Sequence, residues 1–194
     1  MNRFVAMKRY PGFLASALLL ATPLAMATPT VAEDYHYYTI APENSQDLAA
    51  AIDRASPVHE GGKIAHAATH WDLHWTFHFW NSADKACVVK QVNTTVNIGY
   101  TLPQLENTVK DEATIQAFQD YFSALRERER QRAKIGIDAA NEVESTLMSI
   151  SAANCSAAET LANERAEKIL QHYRQLDQDF TLSTPAAPVQ AGNH

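Results

Sequence analysis

The chain has 194 residues, of which 46% are hydrophobic and 20% are charged, and its formal net charge is −6. An acidic balance of this kind argues against binding to nucleic acid or to an anionic membrane surface. The length predicts one domain with a substantial core.

The N-terminus has the pattern of a secretory signal peptide. Lys8 and Arg9 precede an apolar run over residues 13–24, and an Ala-x-Ala cleavage site ends at Ala27. The run is too short to cross a bilayer. Cleavage there would leave 167 residues, and because the leader carries three basic residues and no acid, the net charge would fall from −6 to −9. A second possible site follows Ala32. We therefore expect an exported protein, periplasmic or secreted, without a membrane span after cleavage.

The chain has two cysteines, Cys87 and Cys155. Two cysteines in an exported chain predict one disulfide bond. Its long loop would stabilise the fold by about 4 kcal/mol in the chain-entropy model. The alternative, two free thiols in a reducing compartment, is disfavoured by the signal peptide.

Strands are predicted in the first half of the mature chain. Residues 35–40 form an aromatic and β-branched run typical of a strand, and Ser45 can cap a helix over residues 47–52. Apolar and polar residues then alternate over residues 66–79 and again over residues 88–100, so each run predicts a strand with one buried face. The inward sets are Trp71, Leu73, Trp75, Phe77 and Phe79 in the first run, and Val88, Val92, Val96, Ile98 and Tyr100 in the second. A turn over residues 81–84 predicts that the two strands form an antiparallel hairpin.

Helices are predicted in the second half. Pro103 marks the change, and apolar residues recur at about 100° per residue from about residue 104 to residue 150. Asn154 or Ser156 can cap a final helix that ends near Leu176. The whole pattern predicts an α+β fold in which an N-terminal antiparallel sheet packs against two long C-terminal helices.

The predicted organisation is a signal peptide over residues 1–27, a single domain over residues 28–180 and an irregular, Pro/Ala-rich tail over residues 181–194. Neither an internal repeat nor an interdomain linker is visible in the sequence.

The long helix carries charge on its apolar stripe. After Leu125 the inward positions are Glu129, Arg132 and Gly136, and Arg128 lies at the edge of the stripe. Burying an isolated charge is costly, so such groups are paired or line a wet cleft. A glycine on this stripe indicates that another group approaches closely. The alternative is a solvated helix surface, because the charged run alternates in sign.

Short features recur in a fixed order along the chain. They are Tyr37-Tyr38, Gly62-Lys63, the run Thr69-x-Trp71-x-Leu73-x-Trp75-x-Phe77, Cys87, Thr101-Leu102-Pro103, Leu125, Ala139-Ala140 and Cys155. In this order and spacing the chain resembles a bacterial domain-of-unknown-function family of predicted secreted zinc-dependent proteases. The resemblance covers about residues 35–180 and implies a peptidase-like, zincin-like domain.

In that family the long helix carries His-Glu-x-x-His, in which the two histidines ligate zinc and the glutamate activates the metal-bound water. By position, the ligands fall on Arg128 and Arg132 and the general base on Glu129. Arginine stays protonated and offers a metal no lone pair. A carboxylate held by arginine is also a poor general base. The resemblance therefore implies an inactive Glu129, no zinc, and two arginines that could bind a carboxylate of a partner.

A third histidine ligand would be expected near the C-terminus. The matching positions hold Thr184 and Pro185, and no histidine occurs between His172 and His194. His172 has no acidic or histidine partner one turn away, and His194 lies at the chain end. We expect neither to complete a metal site.

Three further histidines lie on one predicted strand. His70, His74 and His78 share a face, but four residues along a strand span about 13 Å, too far for two of them to hold one ion. Asp72 and His74 could contribute to a metal site only with ligands from elsewhere. The sequence contains no nucleophile elbow, phosphate loop or dinucleotide fingerprint.

Three functions remain open on the sequence alone. The leading one is a non-catalytic, exported pseudo-peptidase that binds a peptide or protein partner in the former active-site cleft. The second is an active zinc-dependent protease with relocated metal ligands. The third is a structural envelope protein in which Arg128, Glu129 and Arg132 form only an ion-pair network.

Overall fold

Three long strands and two long helices make up most of the fold in a computed structural model, which describes residues 28–81 and 86–183. The elements in chain order are β1 (Thr30–Ile40), α1 (Leu48–Ala55), β2 (His59–Glu60), β3 (Lys63–Ile64), β4 (Ala68–Asn81), β5 (Cys87–Leu105), α2 (Glu112–Met148), β6 (Ser151–Ala152) and α3 (Cys155–Ser183). The predicted signal peptide, the turn after Asn81 and the tail beyond Ser183 lie outside the described residues. Residues 181–183 are helical, whereas the sequence predicts an irregular tail from residue 181.

The main sheet has the strand order β1-β5-β4, and the short β6 pairs with the start of β5. The predicted α+β class is confirmed, and so is the antiparallel hairpin of β4 and β5. One detail differs from the expectation, because β1 runs parallel to β5 and the sheet is therefore mixed. The chain between β1 and β4 passes through α1 and the β2–β3 hairpin, so β4 lies one position away from β1, and β5 returns between them, parallel to β1.

The two faces of β4 are as predicted. Trp71 and Leu73 are buried, Trp75, Phe77 and Phe79 are partly buried, and the intervening polar residues are exposed. In β5 the predicted inward position of Val88 is wrong. The pairing shifts at a β-bulge, where Phe79 pairs with Val89 and His78 pairs with Gln91. The extra residue reverses the alternation before it, so Cys87 and Val89 are buried instead.

The starts of the first two helices differ from the predicted positions. Ser45 does not cap α1; Asp47 is the N-cap residue, and the Asn44 side chain accepts hydrogen bonds from the next turn. Pro103 does not end β5, which continues to Leu105. The pairing of β4 with β5 ends at Thr101, so the side of β5 that faces β4 is unpaired at Pro103. A proline, which lacks a backbone N–H, is tolerated at such an open edge.

The helix α2 begins where its N-cap, Asp111, accepts hydrogen bonds from both the backbone N–H and the hydroxyl of Thr114. It packs on β5 and β4 and, on its other side, on α3. The helix approaches the sheet closely at Gly136, where an added Cβ would lie 2.7 Å from Cγ of Trp71. The prediction that another group approaches this glycine is therefore confirmed.

A disulfide bond joins Cys87, at the start of β5, to Cys155, at the start of α3. The two Cα atoms lie 4.9 Å apart, and the predicted pairing is confirmed. Of the two predicted caps of α3, Asn154 is the one used, since its side chain accepts from the N–H of Ala157. Across the described ranges, no helix is long and apolar enough to cross a membrane.

Candidate functional site

The long helix α2 carries its charged residues into the core, as its periodicity predicts. Glu129 is 0% exposed and Arg132 is 7% exposed, while Arg128 at the edge of the stripe is partly buried. The alternative of a solvated helix surface does not hold for these positions. Each buried charge must therefore have a partner.

Glu129 has a partner for each carboxylate oxygen. Its Oε1 accepts a hydrogen bond from Nη1 of Arg128 at 2.5 Å. Its Oε2 accepts one from the hydroxyl of Thr69 on β4 at 2.7 Å and lies 3.6 Å from Nη1 of Arg132. Charge-assisted bonds of this kind hold the carboxylate in place and leave its lone pairs engaged.

Arg132 is held by two further carboxylates that are distant in sequence. Its Nη1 donates to Oε1 of Glu60 at 2.6 Å, and its Nε donates to Oδ1 of Asp177 at 3.1 Å. Glu60 belongs to the β2–β3 hairpin, and Asp177 lies near the end of α3. Burial acts to lower the pKa of Arg132, but these neighbouring carboxylates and Glu129 outweigh it, so the pKa is raised and the guanidinium stays charged.

Arg128 completes the group. Its Nη2 lies 3.9 Å from Oε2 of Glu60, and its Cζ lies 5.9 Å from the ring centroid of Phe180. We call the five residues Glu60, Arg128, Glu129, Arg132 and Asp177 the arginine–carboxylate cluster. Two guanidiniums meet three carboxylates in it, so the cluster has an excess of one negative charge. The side chains of the two arginines are only 10% and 9% exposed.

The cluster does not fit a zinc ion. The two positions that correspond to ligands hold guanidiniums, which remain protonated and donate hydrogen bonds only. Within the described part of the chain, no group of three or more His, Cys, Asp or Glu side chains could hold a metal ion. The positions expected to supply the third ligand, Thr184 and Pro185, lie outside the described residues.

The histidines of β4 are on the exposed face of the sheet, away from the cluster. Nε2 of His70 lies 2.9 Å from Oδ2 of Asp72, and His74 and His78 are also exposed. His172 is exposed on α3. The fold therefore separates these side chains from Glu129.

Sequence reasoning missed Glu60 and Asp177. Asp177 had a detectable signal, since the buried stripe of α3 through Ala162, Ala166 and Leu170 continues to it at helical spacing. Glu60 had no such signal, because a two-residue strand beside a Gly-Gly turn has no periodicity to read.

A second polar chain lies beside the cluster and was also missed. The hydroxyl of Tyr121 lies 2.5 Å from Nδ1 of His66, and Nε2 of the same ring lies 2.7 Å from Oδ1 of Asp53. Burial raises the pKa of Tyr121, and the nearby Tyr38 and Asp53 raise it further. This chain ties α2, α1 and the segment before β4 to one another.

The fold and the cluster define an α+β domain whose long helix buries an ion-pair network. The model of a bacterial protein family of unknown function (DUF922) matches residues 35–185, which is more than half of the chain, and the chain belongs to this family. Neither the curated proteins nor the solved structures gave a match. The predicted membership of a bacterial family of unknown function is confirmed, while the relationship to zinc-dependent proteases remains a prediction.

Proposed function

We propose that this chain is an exported, non-catalytic pseudo-peptidase in which the arginine–carboxylate cluster takes the place of a zinc centre. The observation that carries the proposal is the state of the two ligand-equivalent positions. Arg128 and Arg132 are nearly buried there and paired with carboxylates. Two guanidiniums supply the positive charge that a divalent ion would bring, but they cannot act as a Lewis acid.

Glu129 is also unsuited to act as a general base. A general base must reach the proton it removes, directly or through one water. Glu129 is fully buried, and its oxygens accept hydrogen bonds from Arg128 and Thr69. These hydrogen bonds occupy the lone pairs that would otherwise accept a proton from a water molecule.

Metal content and hydrolysis test the proposal. The mature protein, purified without a histidine tag, should hold zinc well below one ion per chain by elemental analysis. It should cleave neither casein nor a peptide library, and Glu129→Gln should leave both results unchanged. Stoichiometric zinc, together with proteolysis that Glu129→Gln abolishes, would show an active protease with relocated ligands.

The engineered double variant Arg128→His/Arg132→His tests the relationship to zinc proteases. It places two imidazoles one turn apart, and the carboxylates of Glu60 and Asp177 already lie against the second position. We expect this variant to bind zinc more tightly than the wild type in a competition titration with a chelator. A folded double variant with wild-type zinc affinity would contradict descent from a metal-binding helix.

The proposal also includes the binding of a partner at the arginine–carboxylate cluster. A peptide carboxylate could pair with the arginines only by displacing Glu60 or Asp177, whose side chains are 23% and 21% exposed. The partner is therefore an acidic peptide or protein segment that exchanges for one of these two carboxylates.

Glu60→Gln should strengthen binding to an acidic peptide library, because it removes the competing charge from both arginines. The matched control is Glu43→Gln, an exposed carboxylate outside the cluster. If neither wild type nor Glu60→Gln binds any acidic peptide, the cluster is an internal ion-pair network, as in a structural envelope protein.

A further inference from the structure

The strand β1 has an unpaired edge. Its 11 residues pair with β5 along one side, and in the described part of the chain no strand pairs with the other side. β1 contains no lysine, arginine or proline, and its pairing with β5 is continuous from Thr30 to Ile40. Natural proteins usually protect a long edge with such residues or with a bulge, because the free N–H and C=O groups otherwise pair with another strand.

The side chains of β1 are exposed as well as its edge. Val31, Tyr35 and Tyr37 lie on one face and are 42%, 40% and 49% exposed. They share this face with the buried residues of β5, but α2 packs mainly on β5 and β4 and leaves them partly exposed. The ring of Tyr35 stacks on Tyr100 of β5 at 4.7 Å, which fixes the orientation of the exposed face. An adjacent strand would extend this aromatic surface.

The sequence of β1 is complementary to itself. Tyr35 is the midpoint of the strand Thr30–Ile40, so an antiparallel copy centred on it pairs all 11 residues. That register places Asp34 opposite His36, twice, by symmetry. On the other face it places Glu33 opposite Tyr37, also twice, and brings the two copies of Tyr35 together. Opposite or hydrogen-bonding pairs stabilise such a ladder, whereas like charges directly opposite destabilise it.

We propose that β1 pairs with β1 of a second copy of this chain, antiparallel and centred on Tyr35, so that two sheets join into one. A two-fold axis perpendicular to the sheet requires paired residues to share a face. Centring the axis on Asp34 would oppose two aspartates, and centring it on Glu33 would oppose two glutamates. Centring it on His36 would lose the Asp–His pairs and leave residues at the strand ends unpaired. The partner is a second copy because two copies of β1 match in length and place opposite charges against each other.

Charge exchange within the strand tests the proposed register. The side chains of Asp34 and His36 are each more than 70% exposed, so both are available for pairing across the axis. Within one strand they lie 2.9 Å apart. His36→Asp opposes carboxylates at two symmetry-related places, and we expect it to raise the dimer dissociation constant at least tenfold in sedimentation equilibrium. The double exchange Asp34→His/His36→Asp restores the opposite pairs. It should return the constant to within about threefold of the wild type.

Cross-linking tests the position of the axis. Paired Cα atoms in an antiparallel ladder lie about 4.5–5.5 Å apart, which suits a disulfide bond. Tyr35→Cys should therefore form a covalent dimer under mild oxidation, visible on a non-reducing gel. Val31→Cys is the matched control: it lies on the same exposed face, but its two copies would be eight residues apart along the ladder, about 27 Å.

Three results would overturn the proposal. One is a wild-type protein that stays monomeric in sedimentation equilibrium up to about 100 μM, whether or not it binds extended peptides. Another is equal cross-linking of Tyr35→Cys and Val31→Cys. The third is a double exchange that dissociates as readily as His36→Asp.

Discussion

Two buried glutamates of α2, Glu129 and Glu144, each accept a hydrogen bond from a threonine hydroxyl on the sheet, that of Thr69 and that of Thr94 respectively. Glu129 also contacts two arginines. For Glu144, the described residues supply no cation within salt-bridge distance, and its Oε1 has no hydrogen-bond partner. Comparison of the two residues therefore distinguishes a buried carboxyl group that has cations beside it from one that has none.

Substitution by glutamine should affect the two sites differently. Glu129→Gln keeps an acceptor for Thr69 but leaves two guanidiniums with one carboxylate fewer, and we expect it to lower the free energy of unfolding by about 1–3 kcal/mol. Glu144→Gln replaces a carboxyl group that has no counterion and should change stability by less than about 1 kcal/mol, in either direction. Urea titration of both variants measures the difference. Equal losses would show that the arginines do not depend on Glu129.

Tyr38 predicts a loss of stability at alkaline pH. Burial raises its pKa to about 12, against a smaller lowering by Ser56. Its hydroxyl donates to the carbonyl oxygen of His66 at 2.6 Å, so the fold favours the protonated form. This contribution is complete below the unfolded pKa near 10 and is lost as pH rises towards 12. The free energy of unfolding of Tyr38→Phe should therefore fall less steeply than that of the wild type between pH 10 and 12. Parallel slopes in the two urea series would contradict this assignment.

At the scale of elements, the contact between α2 and β4 depends on one missing side chain. The indole of Trp71 lies where a Cβ on residue 136 would be, with Cγ at 2.7 Å and Cδ2 at 2.8 Å from that position. Trp71 is 7% exposed and belongs to the hydrophobic core. The helix can approach the sheet this closely only with glycine at position 136.

Gly136→Ala should therefore destabilise the protein, although alanine favours a helix more than glycine does. Overpacking costs about 1–3 kcal/mol, while the gain in helix propensity is about 1 kcal/mol. Gly99→Ala is the matched control, because an added Cβ there meets nothing within 4 Å. The control should unfold at the wild-type temperature or slightly above it. A Gly136→Ala variant as stable as the wild type would mean that the helix can shift without loss.

Periodicity explains why the sequence located the buried stripe of α2 but not the whole cluster. Glu129 and Gly136 lie on an apolar stripe that runs from Phe118 to Leu147, so their orientation follows from spacing alone. The contact of Arg132 with Glu60 joins residues 72 positions apart, and no local pattern encodes such a pairing. The bulge in β5 was missed for a related reason. One extra residue in a strand has no distinctive composition, but it reverses the face of every residue beyond it.

At the scale of the whole molecule, the start of β1 bears on the processing of the chain. The strand begins at Thr30, and residues 30–32 pair with residues 95–97 of β5. Cleavage after Ala32 would remove these three pairs, whereas cleavage after Ala27 would keep all of them. The fold therefore favours the earlier of the two predicted sites.

Export of the full-length chain should yield a mature N-terminus at Thr28. N-terminal sequencing or intact-mass analysis of protein recovered from the periplasm or the medium measures this directly. A chain that begins at Glu33 would show that the first three pairs of β1 are dispensable. It would also remove the residues that complete the proposed pairing of two copies.

The disulfide bond at the start of α3 has a consequence at the opposite end of that helix. Asp177 lies 22 residues beyond Cys155, which corresponds to about 33 Å at 1.5 Å per residue. Over this distance, a tilt of the α3 axis by about 5° at Cys155 would move the carboxylate of Asp177 by about 3 Å, which is enough to separate it from Arg132. The disulfide bond at one end of α3 thus helps to position the carboxylate of Asp177 at the other end. Reduction of this bond is therefore expected to weaken the contact between Asp177 and Arg132, although neither residue contacts sulfur.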